Sequence, residues 1–177
     1  MIGTLVPRAP QPKRYLLRKM KILPFDKFEI QTNLSLTEVR RKLDEQIDEK
    51  RVFNILRTNK KFEGEAYSDG FKINRIISYR NSFLPILHGS FKNNPKGTSI
   101  IIKLRLHKLI LIISVFFLYF FGLELIESIA SKNRSYFDIV FPSLFLFFFG
   151  IIMPVSFHWE GKKAKSILRN IFGKSKG

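Results

Sequence analysis

The sequence predicts an α+β membrane protein: an antiparallel sheet with two packed helices and an inserted two-helix transmembrane hairpin. Three observations predict it. Ile139 to Phe157 (IVFPSLFLFFFGIIMPVSF) runs 19 residues without a charge, close to the roughly 20 that a helix needs to cross a hydrocarbon core. Several stretches before residue 108 alternate apolar and polar side chains, as half-buried strands do. Two further stretches gather their apolar residues on one helical face.

Taken in order, residues 1–24 form a basic extension interrupted by Pro7, Pro10, Pro12 and Pro24. Within it, Lys13 to Leu23 (KRYLLRKMKIL) suits a short basic amphipathic helix on an anionic membrane surface. A flexible basic tail fits the same residues. From Phe25 the pattern is regular: Phe28, Ile30 and Thr32 alternate with Glu29 and Gln31, giving a strand. A helix over residues 36–50 follows, started by Ser35 and Glu38 as a capping box with Leu34 and Val39 at the staple positions. Leu36, Val39, Leu43 and Ile47 are its buried face, and Arg40, Arg41, Asp44, Glu45 and Asp48 its wet one. Val52 to Leu56 could continue that helix or start a strand, and a short strand is the favoured reading.

Phe62, Gly64 and Ala66 alternate with Glu63, Glu65 and Tyr67, and Asp69-Gly70 supplies a turn that tolerates positive φ. Phe71, Ile73, Ile77, Tyr79 and Phe83 keep one face on the returning strand. Pro85 marks an edge, bend or strand boundary, and Asn93 to Gly97 a second turn. Ile100, Ile102, Leu104 and Leu106 then face inward, with Lys103, Arg105 and His107 opposite. Residues 25–108 are thus one cytoplasmic α+β domain.

The hairpin occupies residues 109–157. Its first half is free of charge from Leu109 to Leu123, about 22 Å of helix at roughly 1.5 Å per residue. A full span therefore extends through Glu124 to Ile129 or back through His107 and Lys108. The chain holds 19 Phe, 11 of them between 109 and 157, more than a small soluble core accommodates. After the hairpin, residues 158–177 read as an amphipathic helix. Ala164, Ile167, Leu168, Ile171 and Phe172 line one side, expected to pack back on the sheet, and Lys162, Lys163, Lys165 and Arg169 line the other.

Charge sets the expected orientation. The net charge is +17; residues 1–108 hold 23 Lys and Arg against 10 Asp and Glu, and residues 157–177 hold 6 against 1. The connection between the spans carries only Lys132 and Arg134. Because basic flanks stay on the cytoplasmic side, both termini are expected there, with the loop around Ser128 to Tyr136 on the other face. The short apolar run before the first proline is no signal peptide, so the hairpin is the insertion signal. Anionic lipid headgroups and topology account for the positive charge without nucleic acid.

Removing the hairpin leaves an antiparallel sheet closed by a C-terminal helix, which looks like a reduced START-like helix-grip architecture; fold alone gives no function. Residues 62–110 (FEGEAYSDGFKINRIISYRNSFLPILHGSF, then GTSIIIKLRLHKLI) resemble an uncharacterised group of small bacterial two-span membrane proteins with YRNSFLP…GT…RLH segments. That resemblance implies a bacterial inner membrane or its equivalent. It supplies no catalytic or binding residue.

The densest polar constellation is Tyr79-Arg80-Asn81-Ser82. Arg80 and Asn81 beside Lys103 and Arg105 would make a cationic pocket for a phosphate headgroup or an acidic peptide; the plainer reading has Arg80 and Asn81 organise the bend before Pro85. His107, Lys108, Trp159, Lys162 and Lys163 fall at the membrane interface. His88, His107 and His158 lack metal-ligand spacing, and Cys is absent, which excludes disulfides, thiolate metal sites and a cysteine nucleophile. No nucleophile motif, phosphate-binding glycine loop or cofactor signature is present. Glu124 and Glu127 lie within a turn of a helix end, where interfacial water solvates them. The expectation is a noncatalytic accessory or scaffold subunit binding a protein partner at the cytoplasmic membrane surface. The alternative is a lipid or small apolar ligand binder with a cavity between sheet and C-terminal helix.

Overall fold

The computed structural model describes residues 23–48, 59–133 and 135–173. Most of the basic extension and the expected strand at Val52–Leu56 lie outside the described residues. Six strands form one sheet: β1 (Phe25–Thr32), β2 (Ile47–Asp48), β3 (Phe62–Ala66), β4 (Gly70–Arg75), β5 (Ile86–Asn94) and β6 (Gly97–Arg105). Their spatial order is β1-β6-β5-β4-β3-β2, antiparallel throughout except for the β2–β3 pair. The alternation read from the sequence sets which face is inside. Ile30, Phe62, Phe71, Ile73, Leu87, Ile100, Ile102 and Leu104 are buried on one side, because residues two apart along a strand share a face.

Helix α1 (Leu36–Asp44) covers part of that side with Val39 and Leu43. Its start is the capping box: the Ser35 hydroxyl accepts from the Glu38 amide at 3.3 Å, and the Ser35 amide donates to the Glu38 carboxylate at 2.8 Å. The helix is shorter than the 36–50 expected. After Asp44 the Gln46 carbonyl accepts from the Lys61 and Phe62 amides, and Ile47 pairs with Phe62 as a strand residue. Ile47 is buried either way, so the apolar spacing could not distinguish a further helical turn from pairing with an open sheet edge. Leu36, assigned to the buried face, is only half-buried.

One turn reading and one strand reading also change. Asp69-Gly70 does turn the chain, with the Tyr67 amide donating to the Gly70 carbonyl at 2.7 Å, yet Gly70 has no positive φ. Among the described residues that conformation belongs to Gly64 (φ 142°), inside β3, and Gly97 (φ 128°), at the start of β6. The returning strand ends at Arg75, so Ile77, Tyr79 and Phe83 belong to an irregular segment rather than to a continued strand face. Strand β5 begins directly after Pro85, which fits a residue without a donor for the ladder.

Helix α2 (Lys108–Ala130) follows β6 after two residues. Helix α3 (Tyr136–Phe147), a π-helical turn (Phe148–Ile152) and α4 (Met153–Phe172) then form one unbroken helix of 37 residues. Both α2 and this long helix are long and apolar enough to cross a membrane. They pack through phenylalanines: Phe121 stacks on Phe145 at 4.2 Å between ring centroids, and Phe117 on Phe149 at 5.3 Å. Their outer faces stay bare, with Ile112, Phe116, Tyr119 and Ile126 each about two-thirds exposed. The Ser114 and Ser143 hydroxyls are satisfied along the helix, donating to the carbonyls of Ile110 and Ile139 at 2.6 Å each, the local bond that helical serines make.

Residues 158–172 are therefore not a separate helix after the hairpin but the continuation of its second arm. The π turn has a local cause: Pro154 has no N–H for the carbonyl of Gly150, four residues back, so the regular ladder cannot pass there. Past it, Phe157, Ala164, Leu168 and Phe172 are buried on the sheet, with Ile167 and Ile171 packed beside them. This amphipathic face packs with the sheet residues in one apolar core. Leu104, Phe157, Ala164 and Leu168, none of them exposed, fill the space between sheet and helix where the alternative reading needed a cavity. The approach is closest at Gly161, where an added Cβ would lie 2.9 Å from Leu104 Cδ2. Gly161→Val should therefore destabilise the domain by about 1–3 kcal/mol through overpacking. Thermal unfolding of the full chain in mild detergent checks this; an unchanged midpoint would mean that α4 does not sit against β6.

Candidate functional site

Helix α4 is fixed to the sheet at two places by ion pairs. Lys165 pairs with Asp26 of β1, and the buried Glu160 pairs with Arg75 at the end of β4. Glu160 also accepts from Tyr79 and, at 3.0 Å, from Lys163. Both carboxylate oxygens are thus satisfied, which a buried charge needs. The arrangement ties the irregular segment after β4 to the helix. Asn81 adds to it: its amide donates to the Ser156 hydroxyl at 3.2 Å while its carbonyl oxygen accepts from the Phe83 amide at 2.9 Å.

Segment 79–83 and the long helix enclose a groove of about 440 Å³, lined by Tyr79, Arg80, Asn81, Ser82 and Phe83 on one side and Phe148, Ile152 and Ser156 on the other. Phe83 meets Phe148 edge to face at 5.7 Å. Arg80 is exposed, and among the described residues it has no carboxylate partner. A second cleft of about 330 Å³, at the other end of the hairpin, is lined by Glu124, Ser128, Phe137, Asp138, Phe141 and Pro142. No group of three metal-ligating side chains occurs among the described residues.

Among the described residues, no helix covers the side of the sheet away from α1 and α4. Strand register places Lys27 beside Lys103, Lys103 beside His88 and His88 beside Lys72, one row across β1, β6, β5 and β4. Arg105 is two residues along from Lys103 on the same face. Burial first, then the charges of Lys72, Arg105 and Lys103, pushes the His88 pKa below its ordinary 6.5. Glu65 closes the row opposite Lys72, Glu29 lies beyond Lys27, and exposed Phe25 and Tyr67 stand on the same face at its two sides.

The four residues read as one cationic pocket are therefore in two places. Arg80 and Asn81 line the groove against the long helix, whereas Lys103 and Arg105 belong to the open face. The strand carrying Arg80 ends at Arg75, so Arg80 never comes into register with Arg105. Asn81 holds the bend through the Phe83 amide and the Ser156 hydroxyl. Of the residues expected at an interface, His107 caps α2, its Nδ1 accepting from the Leu109 amide at 3.3 Å. Lys108 begins that helix and is exposed, as is Lys162. Trp159 is exposed and lies under the Lys163 ammonium, 5.0 Å from its ring. Sequence reasoning missed the Glu160–Arg75 pair and the four-strand row, which require knowledge of register and of the helix path.

The chain is thus an α+β protein with a mostly antiparallel six-stranded sheet and two long apolar helices. Comparisons with protein-family models, with curated proteins and with solved structures find no match.

Glu160→Gln should destabilise the domain by about 1–3 kcal/mol, since it leaves the partly buried Arg75 without its counter-charge. Arg75→Gln combined with it should recover part of that loss, and unfolding of both single variants and the double variant measures the coupling. For His88, NMR titration should give a pKa below 6.5. The unfolded chain then binds the proton more readily. Stability is unaffected above 6.5 and falls as pH drops from there through the lowered folded value. His88→Gln should flatten that dependence.

Proposed function

We propose that this chain is a noncatalytic integral membrane protein of a bacterial inner membrane or its equivalent, with both termini cytoplasmic. In this reading its sheet domain is an accessory or scaffold subunit that docks the acidic surface of a protein partner. Insertion is supported by α2, whose 23 residues make about 35 Å of helix, enough for a hydrocarbon core of roughly 30 Å. It is supported further by the apolar side chains that the chain leaves bare on both hairpin helices, a surface that water would penalise.

The observation that carries the docking reading is the row Lys27–Lys103–His88–Lys72 on the side of the sheet that no described helix covers. Neighbouring strands are about 4.8 Å apart, so the row spans roughly 14 Å with fixed spacing. Its strand β6 enters α2 within three residues of Arg105, which keeps these charges close to the membrane surface. A face evolved only to lie on anionic lipid needs basic charge alone. Here Glu29, Glu63 and Glu65 border the cations, and Phe25 and Tyr67 offer aromatic anchors, the mixed pattern of a protein interface.

A photo-crosslinking residue placed at Ser90, in the middle of the open face, tests this in the native membrane, with Thr37 on the exposed side of α1 as the control. Position 90 should give one protein adduct mapping to an acidic segment, and Lys72→Glu with Lys103→Glu should abolish it. Adducts to lipid alone, or a protein adduct indifferent to both charge reversals, would contradict the reading. The partner's carboxylates should also raise the His88 pKa, which the same NMR titration reads in the complex.

A further inference from the structure

We infer that the groove between residues 79–83 and the π-helical turn binds an anionic phospholipid. Arg80 and Ser82 would take its phosphate, and Phe83, Phe148 and Ile152 would take the first part of an acyl chain. The inference rests on the membrane insertion proposed above, not on the docking of a partner.

Three features of the groove carry it. The first is its position along the helix. Phe148 and Ile152 belong to the uncharged run Ile139 to Phe157, and Ser156 lies one turn before the exposed Trp159 and the Lys162–Lys163 pair. Eight residues separate Phe148 from Ser156, about 12 Å along the axis. One end of the groove is therefore at headgroup level and the other in hydrocarbon. The groove is polar at the first end and aromatic or aliphatic at the second, matching the polarity sequence of a phospholipid from phosphate to chain.

The second feature is local charge. Arg75 and Lys163 share the buried Glu160, so the clamp keeps a net positive charge, and Arg80 adds another without a carboxylate partner among the described residues. A planar guanidinium suits phosphate because it donates two parallel N–H bonds. Asn81 is a positioning residue here: its bonds to Ser156 and to the Phe83 amide hold the turn against the helix.

The third feature is the π turn. It shifts the helical register between α3 and α4, and both its first and last residues, Phe148 and Ile152, line the groove. Irregular helical turns of this kind commonly accompany binding sites.

Native mass spectrometry of the full chain, titrated in mild detergent with phosphatidylglycerol or phosphatidylcholine, tests the assignment. The chain should retain one phosphatidylglycerol at about tenfold lower concentration than phosphatidylcholine, the effect of one charge-assisted hydrogen bond. Arg80→Gln should erase that preference, Arg80→Lys should keep part of it, and Arg105→Gln on the open face should keep all of it. Phe148→Ala should weaken both lipids alike. Inorganic phosphate alone should not displace the bound lipid at millimolar concentration. Equal retention of the two lipids by the native chain, an undiminished preference in Arg80→Gln, or displacement by free phosphate would each overturn the inference. If the preference followed Lys72→Glu and Lys103→Glu instead, the lipid would belong to the open face, and both this assignment and the protein-docking reading would fall. Loss of the crosslinked partner with lipid preference intact would fault the docking reading alone.

Discussion

The whole structure depends on one helix having to satisfy two environments without a break. From Tyr136 to Phe147 its neighbours are the phenylalanines of α2 and an otherwise bare apolar surface. From Phe157 to Phe172 its neighbours are the core side of a β-sheet. A helix presents a fixed angular pattern, so two unrelated partners at its two ends need an adjustment between them. The π turn before Pro154 provides it. Beyond that point Gly161 lets the backbone come within contact of Leu104, and the ion pairs of Glu160 and Lys165 stop the helix from turning or sliding on the sheet. Removing Arg75 or Lys165 alone would take a counter-charge from a buried carboxylate, which is the costly way to break such a pair.

This clamp also orders what lies next to it. Residues 76–85 have no ladder partner along most of their length, and their shape is set by Tyr79 on Glu160, by Asn81 on Ser156 and by Phe83 on Phe148. The same helix that closes the core thus builds one wall of the groove and holds the other. On the opposite side of the sheet no described helix closes the surface, and Lys27, Lys72, Lys103 and Arg105, placed there by strand alternation, are exposed. Two chemically different surfaces result from a single chain of constraints, one lined by Arg80 at the long helix and one by Lys103 and Arg105 on the open sheet.

Much of the fold was legible because its signals were local. The capping box at Ser35, the boundary at Pro85, the inward run Ile100, Ile102, Leu104 and the apolar face of residues 164–172 each depend on spacing within a few residues. The end of α1 was not legible, since Ile47 fits a helical face and a paired strand equally well. The phrase Asp69-Gly70 identified a turn but not which glycine adopts positive φ; Gly64 needs it inside β3, where no turn dipeptide announces it. The site was read least well. Arg80 and Arg105 were placed together because alternation was carried past Arg75, and only the end of β4 separates them. Glu160 is the single acid of residues 157–177, and its role follows from Arg75, 85 residues earlier, by a contact that no local pattern encodes.

The path of the long helix can be followed by cysteine labelling, because the chain has no cysteine of its own. Single cysteines at Ser131, in the loop between the hairpin helices, and at Ser166, on the exposed side of α4, can be labelled with a membrane-impermeant maleimide in right-side-out and inverted vesicles without background. A helix running from the membrane into a cytoplasmic sheet domain requires that Ser131→Cys react only from outside and Ser166→Cys only from the cytoplasmic side. Reaction of both from the same side would contradict a spanning hairpin and, with it, the reading of the long helix as the link between membrane and sheet.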